Sequence, residues 1–277
     1  MEQEKPVRRK RIDGQTKRDG AGNKKRRNYP VGKSWGKEMN GIGTENESSL
    51  HAALKNWYAR PGDEFEAKVD GYIIDIRRGR ELIEVQTGNF TAIANKLRKL
   101  LKKHRVCLLY PIAEEKWIIR IKENGEFIRR RKSPKKGKPF HLFKELIRIP
   151  DLLNEDNFTI EILLIKEEDI WCEDGKGSWR RKGVTVQDRK LLGVTASLKL
   201  EKGRDLLGFL PPGLTEPFSN KDLAVQMGEP VREVRKFTYC LRKSGLIKIV
   251  GKHGNELLFA VAEEGAGSGG RGRGNQV

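Results

Sequence analysis

Two apolar runs of the sequence carry acids where core side chains would be expected. In GYIIDI (71–76) Asp75 stands among Ile73, Ile74 and Ile76; in ELIEVQT (81–87) Glu84 and Gln86 alternate with Ile83, Val85 and Thr87. A buried carboxylate is costly without a partner. Alternate side chains of an extended strand share a face, so Ile73 and Asp75 are expected opposite Tyr72, Ile74 and Ile76. Likewise Leu82, Glu84 and Gln86 are expected on one face of their strand. If the two strands pair, Asp75 and Glu84 converge, with Gln86 ~7 Å further along. Adjacent carboxylates repel, and a divalent cation stabilises both in the ionised form. Mg²⁺, with Mn²⁺ as a substitute, suits a site of one or two carboxylates and retained waters. The alternative is two acids near strand ends that face solvent.

The surrounding pattern predicts the elements that would position these residues. Leu50, Ala53, Leu54 and Trp57 give residues 44–57 one apolar helical face. FEAKVDG, GYIIDI and ELIEVQT read as three strands joined by short turns. Phe90, Ile93, Ala94, Leu97 and Leu101 mark a second helix over 90–104, RVCLLYPI reads as a strand covered on both faces, and KWIIRI and TIEILLI (159–165) as further strands. The fold class is α/β. Residues 167–215 carry no clear assignment and are taken as a connecting segment.

Asp75-x8-Glu84-x-Gln86, in the order helix, three strands, helix, strand, resembles the core of the PD-(D/E)xK nuclease superfamily, which includes restriction endonucleases and Holliday-junction resolvases. The resemblance covers roughly residues 44–121. It implies a mixed-sheet, restriction-endonuclease-like core over 41–166, with Asp75, Glu84 and the Val85 carbonyl as metal ligands and Gln86 orienting the attacking water. Two departures stand out. Gly71-Tyr72 offers no Pro-Asp dipeptide, and Gln86 stands where the family has lysine, so no positive charge meets the developing phosphorane. Glu47 is a further catalytic candidate, because resolvase-like members place a glutamate on the first helix. Thr44 and Glu47 also form a T-x-x-E capping box. His51 is expected to pack on the helix face, and His104 and His141 lack partners at any ligand spacing.

Charge directs attention to a polyanion. The chain has 277 residues, a net charge of +19 and a pI near 9.9, which favours nucleic acid. Residues 1–40 hold 13 basic and 5 acidic residues and read as a disordered basic arm; 264–277 read as a flexible glycine-rich tail. Lys96, Lys99 and Lys103 lie off the apolar stripe of the second helix. Arg129, Arg130, Arg131, Lys135 and Lys136 belong to a basic Pro/Gly loop, RRRKSPKKGKP. Both are candidate phosphate clamps. SWRRKGV (178–184) reads as a surface loop. No run of ~18 apolar residues spans a bilayer, and three widely spaced cysteines suit reduced thiols in the cytoplasm.

Residues 216–263 form a second patterned region. Ser219 and Asp222 fit a capping box, Gly228-Glu229-Pro230 a turn, and Val231, Val234, Phe237 and Leu241 the inward stripe of a helix ended by Gly245. LIKIV and ELLFAV flank GKHGN as a hairpin. The pattern resembles a winged helix, a smaller α+β domain. That implies Arg232, Arg235, Lys236, Arg242 and Lys243 on the recognition helix and Lys252 and His253 on the wing as nucleic-acid contacts. Winged helices also serve as protein-interaction modules. The expected function is a metal-dependent DNA endonuclease hydrolysing phosphodiester bonds. A non-catalytic DNA-binding regulator with a degenerate nuclease fold is the alternative. RNA as the nucleic acid and a homodimer are left open.

Overall fold

Helix α1 (Ser49–Tyr58) begins at Ser48, whose hydroxyl accepts the His51 amide. The computed structural model describes residues 48–263, so Glu47, the basic arm and the glycine-rich tail lie outside the described residues. Strands β1 (Glu64–Val69), β2 (Tyr72–Arg78) and β3 (Glu81–Val85) follow as an antiparallel meander. Helix α2 (Phe90–Leu100) then crosses over, so that β4 (Arg105–Lys122) pairs parallel with β3. Beyond the end of β3, β4 takes β5 (Phe127–Lys132) as an antiparallel neighbour. Strand β6 (Phe158–Glu173) is parallel to β4, and β7 (Thr185–Leu200) is antiparallel to β6. The result is a mixed seven-stranded sheet in an α/β chain.

Two expectations are corrected. RVCLLYPI and KWIIRI are one 18-residue strand, because a bulge between Ala113 and Glu115 carries β4 through its polar stretch. The sheet also does not stop at residue 166. β6 runs on to Glu173, and β7 lies wholly within the supposed connecting segment. The acids of β6 hid this continuation. Glu167 and Asp169 are buried, and each is paired with Lys116 on β4, at 2.5 and 3.1 Å.

The sheet separates two apolar clusters. On one face Leu50 and Leu54 of α1 meet Ile76, Ile83, Val85, Cys107, Leu109 and Leu163. On the other, Phe90, Ala94 and Leu97 of α2 cover Ile74, Leu82, Val106 and Leu108. This second cluster continues without a break into the carboxyl-terminal region. There α4 (Asn220–Met227) is capped as expected: Ser219 accepts the Asp222 amide at 3.3 Å and Asp222 accepts the Ser219 amide at 2.8 Å. Gly228, with a left-handed φ of 61°, ends it. Helix α5 (Val231–Lys243) buries Val234, Phe237 and Leu241, and β8 (Ile247–His253) pairs with β9 (Glu256–Val261). The Phe237 ring lies 4.6 Å from that of Phe143, in the short helix α3 (Phe143–Leu146), and 5.5 Å from that of Phe140. No helix among the described residues is long and apolar enough to cross a membrane.

This shared aromatic cluster ties α5 to the sheet. Phe237→Ala is expected to cost ~3–5 kcal/mol and to shift α5 and the sheet together in a single urea transition. Separate transitions for the two parts would show that they fold independently.

Candidate acidic site at the end of β3

The geometry begins with a break in strand alternation. Glu66 on β1, opposite Asp75, takes a left-handed φ of 51°, and the Glu66–Asp75 pair drops out of the β1–β2 register between Phe65↔Ile76 and Ala67↔Ile74. Ile74 consequently packs in the α2-side cluster and Ile76 in the α1-side cluster. This corrects the expectation that Tyr72, Ile74 and Ile76 share one face. Lys55 of α1, itself buried, forms an ion pair with Glu66 at this break.

Asp75 is thereby aimed along the sheet toward β3. Its Oδ2 accepts the Val85 amide at 2.7 Å. His51 approaches from α1, with Nε2 3.4 Å from Asp75 Oδ2 and 2.9 Å from the Val85 carbonyl oxygen. Burial pushes the Asp75 carboxyl up, but the His51 contact, its charge and the Val85 amide outweigh it and hold the group below the usual carboxylate range. His51 thus belongs to the site, although its sequence position suggested only packing.

Glu84 reaches the same place from the α2 side. It is 5% exposed, and its Oε1 lies 2.6 Å from Lys96 Nζ on α2. Lys96 also donates to the Ile73 carbonyl at 2.6 Å. The Lys96 contact with Glu84 is an ion pair made at Oε1. That oxygen and Asp169 Oδ1 are the buried side-chain polar atoms without a hydrogen bond among the described residues. Burial pushes Glu84 up to about 7, with Lys96 opposing and the Asp75 charge adding to the rise.

The remaining sequence-derived site residues divide clearly. Gln86 does not join the acids: its amide donates to the carbonyls of Gly88 and Asn89, in the turn before α2. Lys96 was read as a phosphate contact and instead points inward, because its stem follows the apolar surface while the head reaches Glu84. Lys99 lies over the Tyr72 ring at 5.8 Å, and Lys103, just after the end of α2, is 3.6 Å from Asp70, just before β2. Arg129, Arg130 and Arg131 stand on β5, a strand and not a loop. Arg129 and Arg131 are exposed, while Arg130 stacks on Trp117 at 4.1 Å and pairs with Glu168 at 2.7 Å. Lys135 and Lys136 are exposed. On α5, Arg232, Arg235, Arg242 and Lys243 are exposed, whereas Lys236 is tied to Glu233 at 3.0 Å; Lys252 and His253 are exposed at the β8–β9 turn.

Two carboxylates and the Val85 carbonyl are hard oxygen donors of the kind Mg²⁺ or Mn²⁺ takes, although Glu84 Oε1 already faces the Lys96 ammonium at 2.6 Å and the Val85 carbonyl oxygen already faces His51 Nε2 at 2.9 Å. The donor types fit. Among the described residues no group of three His, Cys, Asp or Glu side chains is arranged around a common point. His51 and Lys96 instead stand against the two acids.

The chain belongs to the family described as a domain of unknown function (DUF8091), whose family model matches residues 48–201. That span runs from the cap of α1 to the end of β7 and contains the acidic site. A relative from Treponema pallidum (strain Nichols), described as an uncharacterized protein, is 34% identical over 219 residues, covering 79% of this chain and 86% of its own. No solved structure matches the chain.

Glu84 makes stability depend on pH. A carboxyl that holds its proton more tightly folded than unfolded stabilises the native state below its ordinary value of 4.5. That contribution is lost as pH rises through about 7. In chelator-containing buffer, Glu84→Gln is therefore expected to gain, relative to the parent, on the order of 3 kcal/mol between about pH 5 and about pH 8. Urea midpoints at the two pH values measure it. An offset that is the same at both would remove Glu84 as the source.

Proposed function

We propose that the protein is a metal-dependent endonuclease hydrolysing phosphodiester bonds in DNA, with a restriction-endonuclease-like core and a winged-helix recognition module. The observation that carries this reading is that two consecutive residues at the end of β3 are engaged side by side, Val85 by Asp75 through its amide and Glu84 by Lys96. Asp75, Glu84 and the Val85 carbonyl would hold Mg²⁺ or Mn²⁺, which when bound supplies an acidified water and neutralises phosphate charge. Lys96 brings the positive charge that Gln86 does not, placed from a helix instead of the strand, where it would stabilise charge developing on the phosphate. His51 keeps Asp75 ionised and fixes the Val85 carbonyl.

Recognition is assigned to the exposed cations of α5 and the β8–β9 tip, with Arg129 and Arg131 on β5 as backbone clamps. Each phosphate neutralised would add ~0.9 to the logarithmic salt slope of duplex binding. Three free, buried thiols suit a reducing cytoplasm. RNA remains the alternative substrate, and a homodimer an alternative state.

A second reading, a DNA-binding regulator without catalysis, is favoured by Gln86 being turned into the 88–89 turn. Nicking of supercoiled plasmid with Mg²⁺ or Mn²⁺ separates the two. The parent is expected to nick. Asp75→Asn and Lys96→Met are each expected to lose about 100-fold or more in rate, while DNA binding in chelator stays within about threefold. Undiminished nicking by Asp75→Asn would remove the site assignment, and tight DNA binding without nicking on any substrate would select the regulator.

A further inference from the structure

At the opposite end of β3 from the acids, three turns enclose a cavity of about 560 Å³. Lys68 belongs to β1, Arg77 and Arg80 to the β2–β3 turn region, and Lys103, His104 and Arg105 to the connection between α2 and β4. Five Lys and Arg side chains line it against one carboxylate, Asp70. That carboxylate is already engaged. His104 Nε2 lies 3.1 Å from Asp70 Oδ2, Lys103 Nζ lies 3.6 Å from it, and the His104 bond holds the Asp70 carboxyl below its ordinary range. Arg77 makes only long contacts, at 3.4 Å, to Glu64 and to the Gly79 carbonyl. Lys68, Arg80 and Arg105 are exposed, and their side chains form no ion pair or hydrogen bond with any described residue.

We propose that this cavity binds clustered phosphate groups. Like charges gathered around a concave surface repel, and an anion with several oxygens relieves that repulsion while accepting forked hydrogen bonds from Arg80 and Arg105. Val69 and Leu82 give the floor an apolar patch. Arg80 is four residues before Glu84, about 13 Å along the strand, so this is a second site and not an extension of the acidic one. Lys96 and Lys99 on α2 and Lys103 just after it contact Ile73, Tyr72 and Asp70 in turn and so run from one to the other. The phosphates could come from a nucleic-acid backbone or from a soluble polyphosphate, and the chemistry is the same.

The full chain is titrated calorimetrically with inorganic tripolyphosphate, in chelator so that the acidic site cannot take part through a metal. Saturable binding is expected. It should weaken at least about tenfold in Arg80→Ala/Arg105→Ala, which removes two charge-assisted contacts, and stay within about twofold in Lys166→Ala/Lys190→Ala, an equal loss of charge from exposed positions on β6 and β7. No saturable binding, or equal weakening in both double variants, would overturn the proposal. A parallel titration with a single-stranded thymidine oligonucleotide distinguishes the sources. If the cavity variant weakens it as well, the phosphates are those of a nucleic acid. If only tripolyphosphate binding falls, they are those of a soluble polyphosphate. Because neither arm reads hydrolysis, failure here leaves the nuclease reading standing, and loss of plasmid nicking leaves this site untouched.

Discussion

A buried carboxylate must be matched, and the centre of this structure is organised around matching Glu84. Its strand is covered on both faces, so the charge has no water to turn to. Lys96 meets it from α2, and the Ile73 carbonyl on β2, near the β1 break at Glu66, holds the same ammonium. One residue on, the Val85 amide and carbonyl are taken by Asp75 and His51. Three elements, α1, β2 and α2, are thus fixed to the end of β3 by polar contacts, while apolar burial holds them against the sheet as a whole. Apolar packing is tolerant of small shifts. These contacts are not, which is why the break at Glu66 and Asp75 is expected to be a point of strict geometry.

The long half of the sheet repeats the same rule with different partners. Glu161 accepts the Tyr58 hydroxyl at 2.8 Å, and Lys116 serves both Glu167 and Asp169. Arg78 reaches across to the Asp63 carboxylate and the Tyr58 carbonyl, pinning the end of α1 over the β2 edge. Charged residues in these strands are therefore part of the sheet and not signs of its end.

That explains what the sequence disclosed and what it hid. The α1, α2 and α5 stripes, the β1–β3 meander and the Ser219–Asp222 cap were legible, because each follows from local periodicity or local capping. The extension of β6 and the whole of β7 were not: their acids and glycines broke the apolar pattern, and the pairing that compensates them lies on other strands. Asp75 and Glu84 were visible as misplaced charges. Their relation was misjudged in detail, since alternation cannot register a left-handed residue such as Glu66 on a neighbouring strand. His51 and Lys96 were misassigned for a related reason. Both lie on helices, and which way a long side chain leans from a helix is decided by the surface it lies on.

Lys96 is the cation that meets Glu84, and it comes from a helix. A lysine two residues after Glu84 would have shared its strand, and its position would have been fixed by the sheet alone. A lysine on α2 is placed by helix packing instead, through Leu97 and Ala94 beside it in the α2-side cluster. The ammonium then contacts the acid from α2, while the Val85 carbonyl is taken by His51 and the Val85 amide by Asp75. Gln86, which carries no charge, bonds the Gly88 and Asn89 carbonyls in the turn before α2. The residue after Val85 thus braces the turn that leads into the helix carrying Lys96.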